Sequence, residues 1–366
     1  MKRVLFLTNY PSPYRVHFFD ELGKSLDVTV LFTDPLGDIT HRDPEWFEEG
    51  KGGFTAVQLK KTMAAGEEYL CLEVISWLKK PFDAIVICGY SSPTAMAAMA
   101  WLRLHRIPFY MEVDGGLVRP DSWGKYRFKR SLVRMASRWL SSGPSTTEYL
   151  VHYGADRQRV LEYPFTSLWA SDILPQIPTV EEKQALRREL EMPESRIVLY
   201  VGRFTRAKGM DALLEAATSL EPDTGVYFVG GEPEQAHLRF CENQNLSNVH
   251  FVGFKKKEKL ADYYKAADVF VLPTQSDVWG LVINEAMACG LPVITTDRCV
   301  AGLELVEEGV TGALVPVDDR QALVDALRRV LEGDLRQMGA AALEKIRPYT
   351  IENMAAAHVK IFENEV

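Results

Sequence analysis

Short apolar runs rich in Val, Ile and Phe, each closed by turn residues, recur through this chain in two separate series. The first holds VLFLT (4–8), DVTVLFT (27–33), FTAVQL (54–59), DAIVICG (83–89) and PFYMEV (108–113). The second holds RIVLYVG (196–202), GVYFVGG (225–231), VHFVGF (249–254), DVFVLPT (268–274) and PVITT (292–296). Runs of this kind suit strands covered on both faces, the condition of a parallel sheet. Helix-like stretches separate them, at 92–104 and 124–138, then at 209–220, 233–244, 257–266, 281–289 and 319–332. The alternation predicts an α/β protein with two doubly wound, Rossmann-like parallel-sheet domains. Between the series, around 165–182, TSLWASDILPQIPTVEEK has two prolines and polar residues and reads as a linker. The domains are predicted over 1–168 and 183–346, with a helix in 347–366 packing back on the first. In such sheets ligands bind beyond the carboxyl ends of the strands, and two facing domains leave a cleft for them.

Bulk properties agree. At roughly 100–200 residues per domain, 366 residues suit two domains, and 47% hydrophobic with 25% charged content is ordinary for a soluble protein. Residues 1–165 carry 21 Lys and Arg against 19 Asp and Glu, so the whole net charge of −8 leaves −10 on the rest. That argues against a nucleic-acid binder. Five cysteines, odd in number and without a C-x-x-C, read as free thiols in a reducing cytosol, and no metal site is expected. MKRVLFLTNYPSPYR has too short an apolar run for a secretory signal and reads as a first strand. No run approaches the roughly 18 apolar residues that span a bilayer, so a cytoplasmic protein, soluble or peripheral at the inner membrane face, is expected.

Two stretches carry candidate chemistry. In VGRFTRAKGMDALLEA (201–216) a strand ends at Gly202, Arg203 and Lys208 follow, and Gly209 opens a helix. Cations beside the free N–H groups of a helix start make an anion site, and a solvated basic loop would read the same way. In DVWGLVINEAMACG (277–290) a helix starts near Gly280, leaving the N–H groups of Leu281 and Val282 free. Glu285 lies a turn further on and suits vicinal hydroxyls, while Asp277 lies in the loop before. Equally, Asp277 could cap a turn and Glu285 face solvent.

VGRF-x3-KG, ADVFVLPT, D-x7-E within DVWGLVINEAMACGLPVITT, and VEEGVTGALVPV, in that order, resemble the donor-binding domain of family 4 glycosyltransferases over about 195–332. The first domain is similar through its opening strand and EVDGG (112–116), but YPSPYR (10–15) stands where members often have a glycine pair. The resemblance implies a GT-B fold and a retaining transfer from a nucleotide-sugar, UDP-linked in preference to GDP-linked, to a saccharide or lipid-linked acceptor. It implies assembly of bacterial cell-surface polysaccharide or glycolipid. Arg203 and Lys208 would bind the diphosphate, with the backbone of Gly280, Leu281 and Val282 and with Thr274 nearby. Glu285 would hold the ribose, and Gly253 and Phe254 would lie near the base. Asp277, where the family usually has Glu, would face the sugar. The backbone near Pro13 or the side chain of Arg15 would replace the missing glycine contact. Asp114, where many members have His, would act as base or orient the acceptor; Asp also favours turns, and it precedes Gly115-Gly116.

No metal or cofactor is implied, since the two cations can meet the leaving charge. WGKYRFKRSLVRMASRWL (123–140) has six cations and no acid. Read as one helix, it sets Phe128, Leu132, Met135, Ala136 and Trp139 on one face and Arg127, Arg130, Arg134 and Arg138 on another. That pattern fits either an anionic membrane surface or a core helix with a basic outer face. A non-catalytic nucleotide-sugar-binding subunit and a sugar-nucleotide epimerase are the alternatives. A dehydrogenase is disfavoured because no G-x-G-x-x-G follows a strand.

Overall fold

The structure is a computed structural model that describes residues 1–34, 52–65 and 68–364. The chain divides into two compact units, Met1–Ser167 with Tyr349–Val366, and Leu168–Pro348. The first unit is built on strands β1 (Arg3–Thr8), β2 (Asp27–Phe32), β3 (Thr55–Gln58), β6 (Ala84–Cys88), β7 (Tyr110–Val113), β8 (Arg138–Ser141) and β9 (Val160–Glu162), all parallel, in the order β3-β2-β1-β6-β7-β8-β9. A small antiparallel pair, β4 (Met63–Ala65) and β5 (Glu68–Leu70), stands outside this sheet. Helices α1 (Pro13–Leu22), α2 (Val74–Leu78), α3 (Pro93–Leu104), α4 (Trp123–Val133) and α5 (Pro144–His152) complete the unit with a terminal helix described below.

The second unit has one six-stranded parallel sheet, in the order β12-β11-β10-β13-β14-β15. Its strands are β10 (Arg196–Val201), β11 (Thr224–Val229), β12 (Val249–Val252), β13 (Val269–Leu272), β14 (Val293–Thr296) and β15 (Gly312–Val315). Around it run α6 (Val180–Glu189), α7 (Met210–Ala217), α8 (Gln235–Gln244), α9 (Lys257–Ala266), α10 (Leu281–Ala288), α11 (Val300–Leu305), α12 (Arg320–Glu332) and α13 (Leu335–Ile346). The last helix, α14 (Ile351–Glu363), returns to the first unit and packs on α1.

The unalternated apolar strands have a direct cause. Leu5 and Leu7 of β1 enter the core shared with Val74, Met99 and Leu102, on α2 and α3. Phe6, between them, points to the other face, with its ring 5.0 Å from Phe19 and 6.2 Å from Phe362 of α14. Both faces are covered, so every position must be apolar.

Three readings need correction. YPSPYR is not all loop: Ser12 stands at the N-cap position of α1 without a side-chain capping bond, and Pro13 is its first residue, where a ring-locked φ and a missing N–H cost nothing. The stretch 123–140 is not one helix, because α4 ends at Val133 and the chain resumes as strand β8. The apolar spacing runs on through this break, but Trp139 is a buried strand residue whose indole N–H bonds back to Val133 O at 3.0 Å. Within 165–182, Leu168 is buried, Asp172 pairs with Lys257 at 2.7 Å, and Thr179 with Glu182 forms the capping box that starts α6.

In the second unit β10 lies beside β13, and the connections leave them in opposite directions along the sheet, which makes this the topological switch point. Gly209 joins the two exits. Its φ is +73°, and a Cβ there would stand 1.8 Å from Pro273 O. Gly209→Ala is therefore expected to lose about 2–4 kcal/mol, from left-handed backbone strain plus forced displacement. Gly124→Ala, with open space around it, serves as the control. A urea midpoint for Gly209→Ala equal to the control's would show that this close approach is not tight.

Candidate functional site

After β10 the chain passes Gly202, Arg203 and Phe204, makes a 3-10 turn over Arg206–Lys208, and enters α7 through Gly209. Phe204 packs near Tyr200, Phe228 and Phe251, and Tyr200 donates its hydroxyl to Arg203 O at 3.0 Å. With its neighbour anchored inward and its backbone held, Arg203 is exposed, and it makes no ion pair among the described residues.

The loop after β13 is fastened to this turn. Thr274 is fully buried; its hydroxyl donates to Ala207 O at 2.8 Å, and the Gln275 N–H reaches the same oxygen at 2.9 Å. Thr274 therefore staples two loops rather than presenting its hydroxyl outward. The fastening brings Lys208 against Asp277, and the two form an ion pair between residues 69 positions apart. Asp277 is set from behind as well, since its N–H donates to Arg298 O at 3.0 Å and it bridges to Cys299.

Gly280 opens α10 with φ +102°, and a Cβ there would meet Cys299 Sγ at 2.6 Å. Cys299 thus fixes where this helix begins; the Trp279 indole N–H bonded to Asn284 Oδ1 at 2.8 Å pins its first turn. The Ile283 N–H is already bonded to Gly280 O, so the N–H groups of Leu281 and Val282 are the ones that point out of the helix start among the described residues. Glu285 is half-buried and accepts from the Tyr264 hydroxyl at 3.1 Å. Burial, then the charge of Glu285, raises the Tyr264 hydroxyl well above its usual range, which keeps it the donor. Tyr264, Cys299, Trp279 and Asn284 were not among the candidates from sequence.

Gly253 and Phe254 follow β12, and Phe254 is partly exposed. Two strand spacings, about 10 Å, separate that exit from β10. A cavity of ≈ 450 Å³ lies on the β14–β15 side of the 273–275 loop, lined by residues including Arg206, Asp211, Pro273, Thr296, Asp318 and Arg320. None of Arg203, Lys208, Asp277 or Glu285 lines it.

The first unit places its candidates differently. Arg15 lies inside α1 with only 4% of its side chain exposed. One guanidinium nitrogen meets Glu112 Oε2 at 3.0 Å, the other Asp114 Oδ1 at 2.6 Å. Its charge is committed to two carboxylates, so the reading of Arg15 as a phosphate ligand does not fit. Pro13 has no N–H to offer, and what remains at this helix start is the backbone of Tyr14 and Arg15.

Glu112 is fully buried, accepts from Cys88 Sγ at 2.8 Å, and has Oε1 3.4 Å from His358 Nε2 of α14. Burial works to raise its pKa, but Arg15 and His358 outweigh it and hold the carboxyl far below the usual range. Asp114 goes the other way: burial raises it, Arg15 opposes, and the charge of Glu112 adds to the rise. One cation shared by two carboxylates leaves the second undercompensated. Tyr14 is pushed up to about 12 by burial and then by Asp114.

Among the described residues, no group of three or more His, Cys, Asp or Glu side chains is arranged to hold a metal ion, and no helix is long and apolar enough to cross a membrane.

Residues 182–345 match the family described as Glycosyl transferases group 1. A D-inositol 3-phosphate glycosyltransferase of Xylanimonas cellulosilytica is 30% identical over 257 residues, 66% of this chain and 60% of that protein. Its counterpart in Geodermatophilus obscurus is 31% identical over 273 residues, 67% of this chain and 57% of that protein. The chain thus spans less than two thirds of the length of these relatives. Among solved structures, a sucrose-phosphate synthase from Thermosynechococcus elongatus superposes with a TM-score of 0.75 at 22% identity, over 99% of this chain and 98% of that one. Anabaena HepE, solved with UDP and glucose, gives 0.73 at 17% identity, over 99% and 100%. Two doubly wound parallel sheets and these structural likenesses give the chain a GT-B fold, in which residues 182–345 match the group 1 glycosyltransferase family and hold the cation-bearing turn at the switch point of the second sheet.

Proposed function

We propose that the chain transfers a sugar from a nucleotide-sugar to an acceptor hydroxyl with retention of anomeric configuration. One observation carries this reading: Arg203, Lys208 and the open N–H groups of α10 come to the ends of two adjacent strands, β10 and β13, fastened at Gly209 and Thr274. Such an array is preorganised for the charge that builds on a departing diphosphate. Arg203 grips oxygens through paired N–H donors, and Lys208 acts as a point charge held by Asp277. Glu285, with one oxygen fixed by Tyr264, suits the ribose hydroxyls. Gly253 and Phe254 suit the base, and Asp277 the sugar.

In this mechanism the bond from the anomeric carbon to phosphate oxygen breaks, and the acceptor oxygen forms its bond on the same face. The acceptor proton passes to a phosphate oxygen. No protein nucleophile and no metal is used. Asp114 serves on the acceptor side, orienting the acceptor hydroxyl, or as the base in place of that phosphate oxygen. A UDP donor is favoured, and HepE, of the same fold, was solved with UDP. The acceptor class proposed is a saccharide or lipid-linked saccharide of the bacterial cell surface.

A second reading concerns α4. Its outer face shows Trp123, 75% exposed, and Phe128, 56% exposed. The Arg127 guanidinium lies 4.9 Å from the centre of the Trp123 ring. Lys125 and Lys129 pair with Asp121, so the outward charge rests on Arg127 and Arg134. We propose that this aromatic and cationic face touches an anionic bilayer at headgroup depth.

Arg203→Ala is expected to lower kcat/KM for the donor by about 10²–10³, with a circular dichroism spectrum like wild type because Arg203 is exposed. Turnover within a factor of three of wild type would remove it from diphosphate binding. Transfer is expected to continue in EDTA; a requirement for added Mg²⁺ or Mn²⁺ would refute charge neutralisation by Arg203 and Lys208 alone. Vesicles rich in phosphatidylglycerol should sediment the protein, and Trp123→Ser with Phe128→Ser should abolish that. Unchanged cosedimentation of the double variant would rule out α4 as the contact.

A further inference from the structure

We propose that Arg15 and Glu112 are positioning residues for Asp114, turning one of its carboxylate oxygens inward and leaving the other for a substrate hydroxyl. The inference rests on the acceptor-side role given to Asp114 above. Asp114 Oδ1 is doubly committed, to Arg15 Nη2 at 2.6 Å and to the Tyr163 hydroxyl at 3.1 Å. Oδ2 takes no hydrogen bond among the described residues, and 23% of the side chain stays exposed. Two fixed donors on one oxygen set the plane of the carboxylate, so the second oxygen has a defined direction.

Glu112 gives the arrangement its rigidity. It lies in β7, two residues before Asp114, which follows the strand end, and both carboxylates meet Arg15. Arg15, entering from α1, is gripped from both sides. A guanidinium does this with N–H donors that diverge in a fixed plane. The far side of Glu112 is closed by α14. His358 is fully buried and donates Nδ1–H to Met354 O at 2.8 Å, since a carbonyl can only accept. Its Nε2 therefore meets Glu112 Oε1, 3.4 Å away, favourably only when it carries a proton of its own. The C-terminal helix thus supplies the last member of a chain that runs His358, Glu112, Arg15, Asp114. The groups that face Asp114 are Arg15 and Tyr14 of α1, Glu112 of β7, Cys88 of β6 and Tyr163 after β9, with His358 behind Glu112.

The charges predict opposite effects for two substitutions. Glu112→Gln removes the competing anion and gives Arg15 wholly to Asp114, so Asp114 should release its proton at lower pH. The amide can still accept from Arg15 and can donate to a neutral His358 Nε2, so the fold is expected to persist. Arg15→Gln removes the cation, so Asp114 should hold its proton to higher pH. The measurement is the ¹³C carboxyl titration of Asp114 in the full chain, with its resonance assigned by disappearance in Asp114→Asn. Shifts of about one pH unit, down for Glu112→Gln and up for Arg15→Gln, are expected. Opposite signs show that Arg15 and Glu112 both act on Asp114 itself. An Asp114 titration that is unmoved or raised in Glu112→Gln overturns the proposal, and that variant decides alone if Arg15→Gln does not fold. The acid limb of UDP-glucose hydrolysis against pH, measured in the same variants, tests the reading beneath. A titration that moves while the rate profile stays put upholds the positioning and removes Asp114 from the chemistry.

Discussion

The second unit depends on one backbone contact. Gly209 enters α7 left-handed and lies against the Pro273 carbonyl, closer than any side chain would permit. Through that contact the turn bearing Lys208 and the loop bearing Asp277 become one surface, although they belong to different strands. Thr274 and Gln275 bind both to the single carbonyl of Ala207. The consequence is electrostatic. Two cations and a helix start gain a fixed geometry before any anion arrives, which is the condition under which they stabilise developing charge most.

Each unit sets a cation against a carboxylate, but the surroundings differ. Lys208 and Asp277 are partly open to water, with 23% and 14% of their side chains exposed. Solvent reaches such a pair and screens it in part, which suits the exchange of partners that the proposed function asks of Lys208. Arg15 is enclosed with Glu112 and Asp114, where losing the cation leaves two carboxylates uncompensated, while losing Glu112 leaves a balanced pair. The open pair suits a group that binds and releases; the enclosed triad suits one that orients. That contrast separates Lys208 from Arg15 despite their similar formal charge.

How much of this was legible in the sequence follows from the physics of each element. Strands β1, β2, β6 and β10 could be read because burial on both faces forces unbroken apolar runs. Helix α1 was hidden because its proline looked like loop punctuation, when Pro at a first helical position is a start signal. The break between α4 and β8 was hidden because apolar spacing continued across it by coincidence. Arg203 and Lys208 were visible as cations before a helix, but not the pairing of Lys208 with Asp277, which requires two strands to be neighbours. Glu112 was overlooked although it carried a signal. A carboxylate within PFYMEV, an otherwise apolar run, needs a buried partner, and Arg15 is that partner.

The same reasoning gives the C-terminal helix a part beyond covering β1. Phe362 and Met354 fill space against the sheet, as any apolar helix face would. His358, also fully buried, makes no sense as packing alone, because apolar residues of similar size carry no hydrogen-bonding demand. It becomes intelligible as the group set against Glu112: His358 Nε2 lies 3.4 Å from Oε1, and neither of these buried atoms has a hydrogen-bond partner among the described residues. A helix added at the end of the chain thereby reaches a carboxylate of the third-from-edge strand β7, and through Arg15 the side chain of Asp114. The polar chain makes the last turns of the protein part of the same electrostatic unit as its first helix.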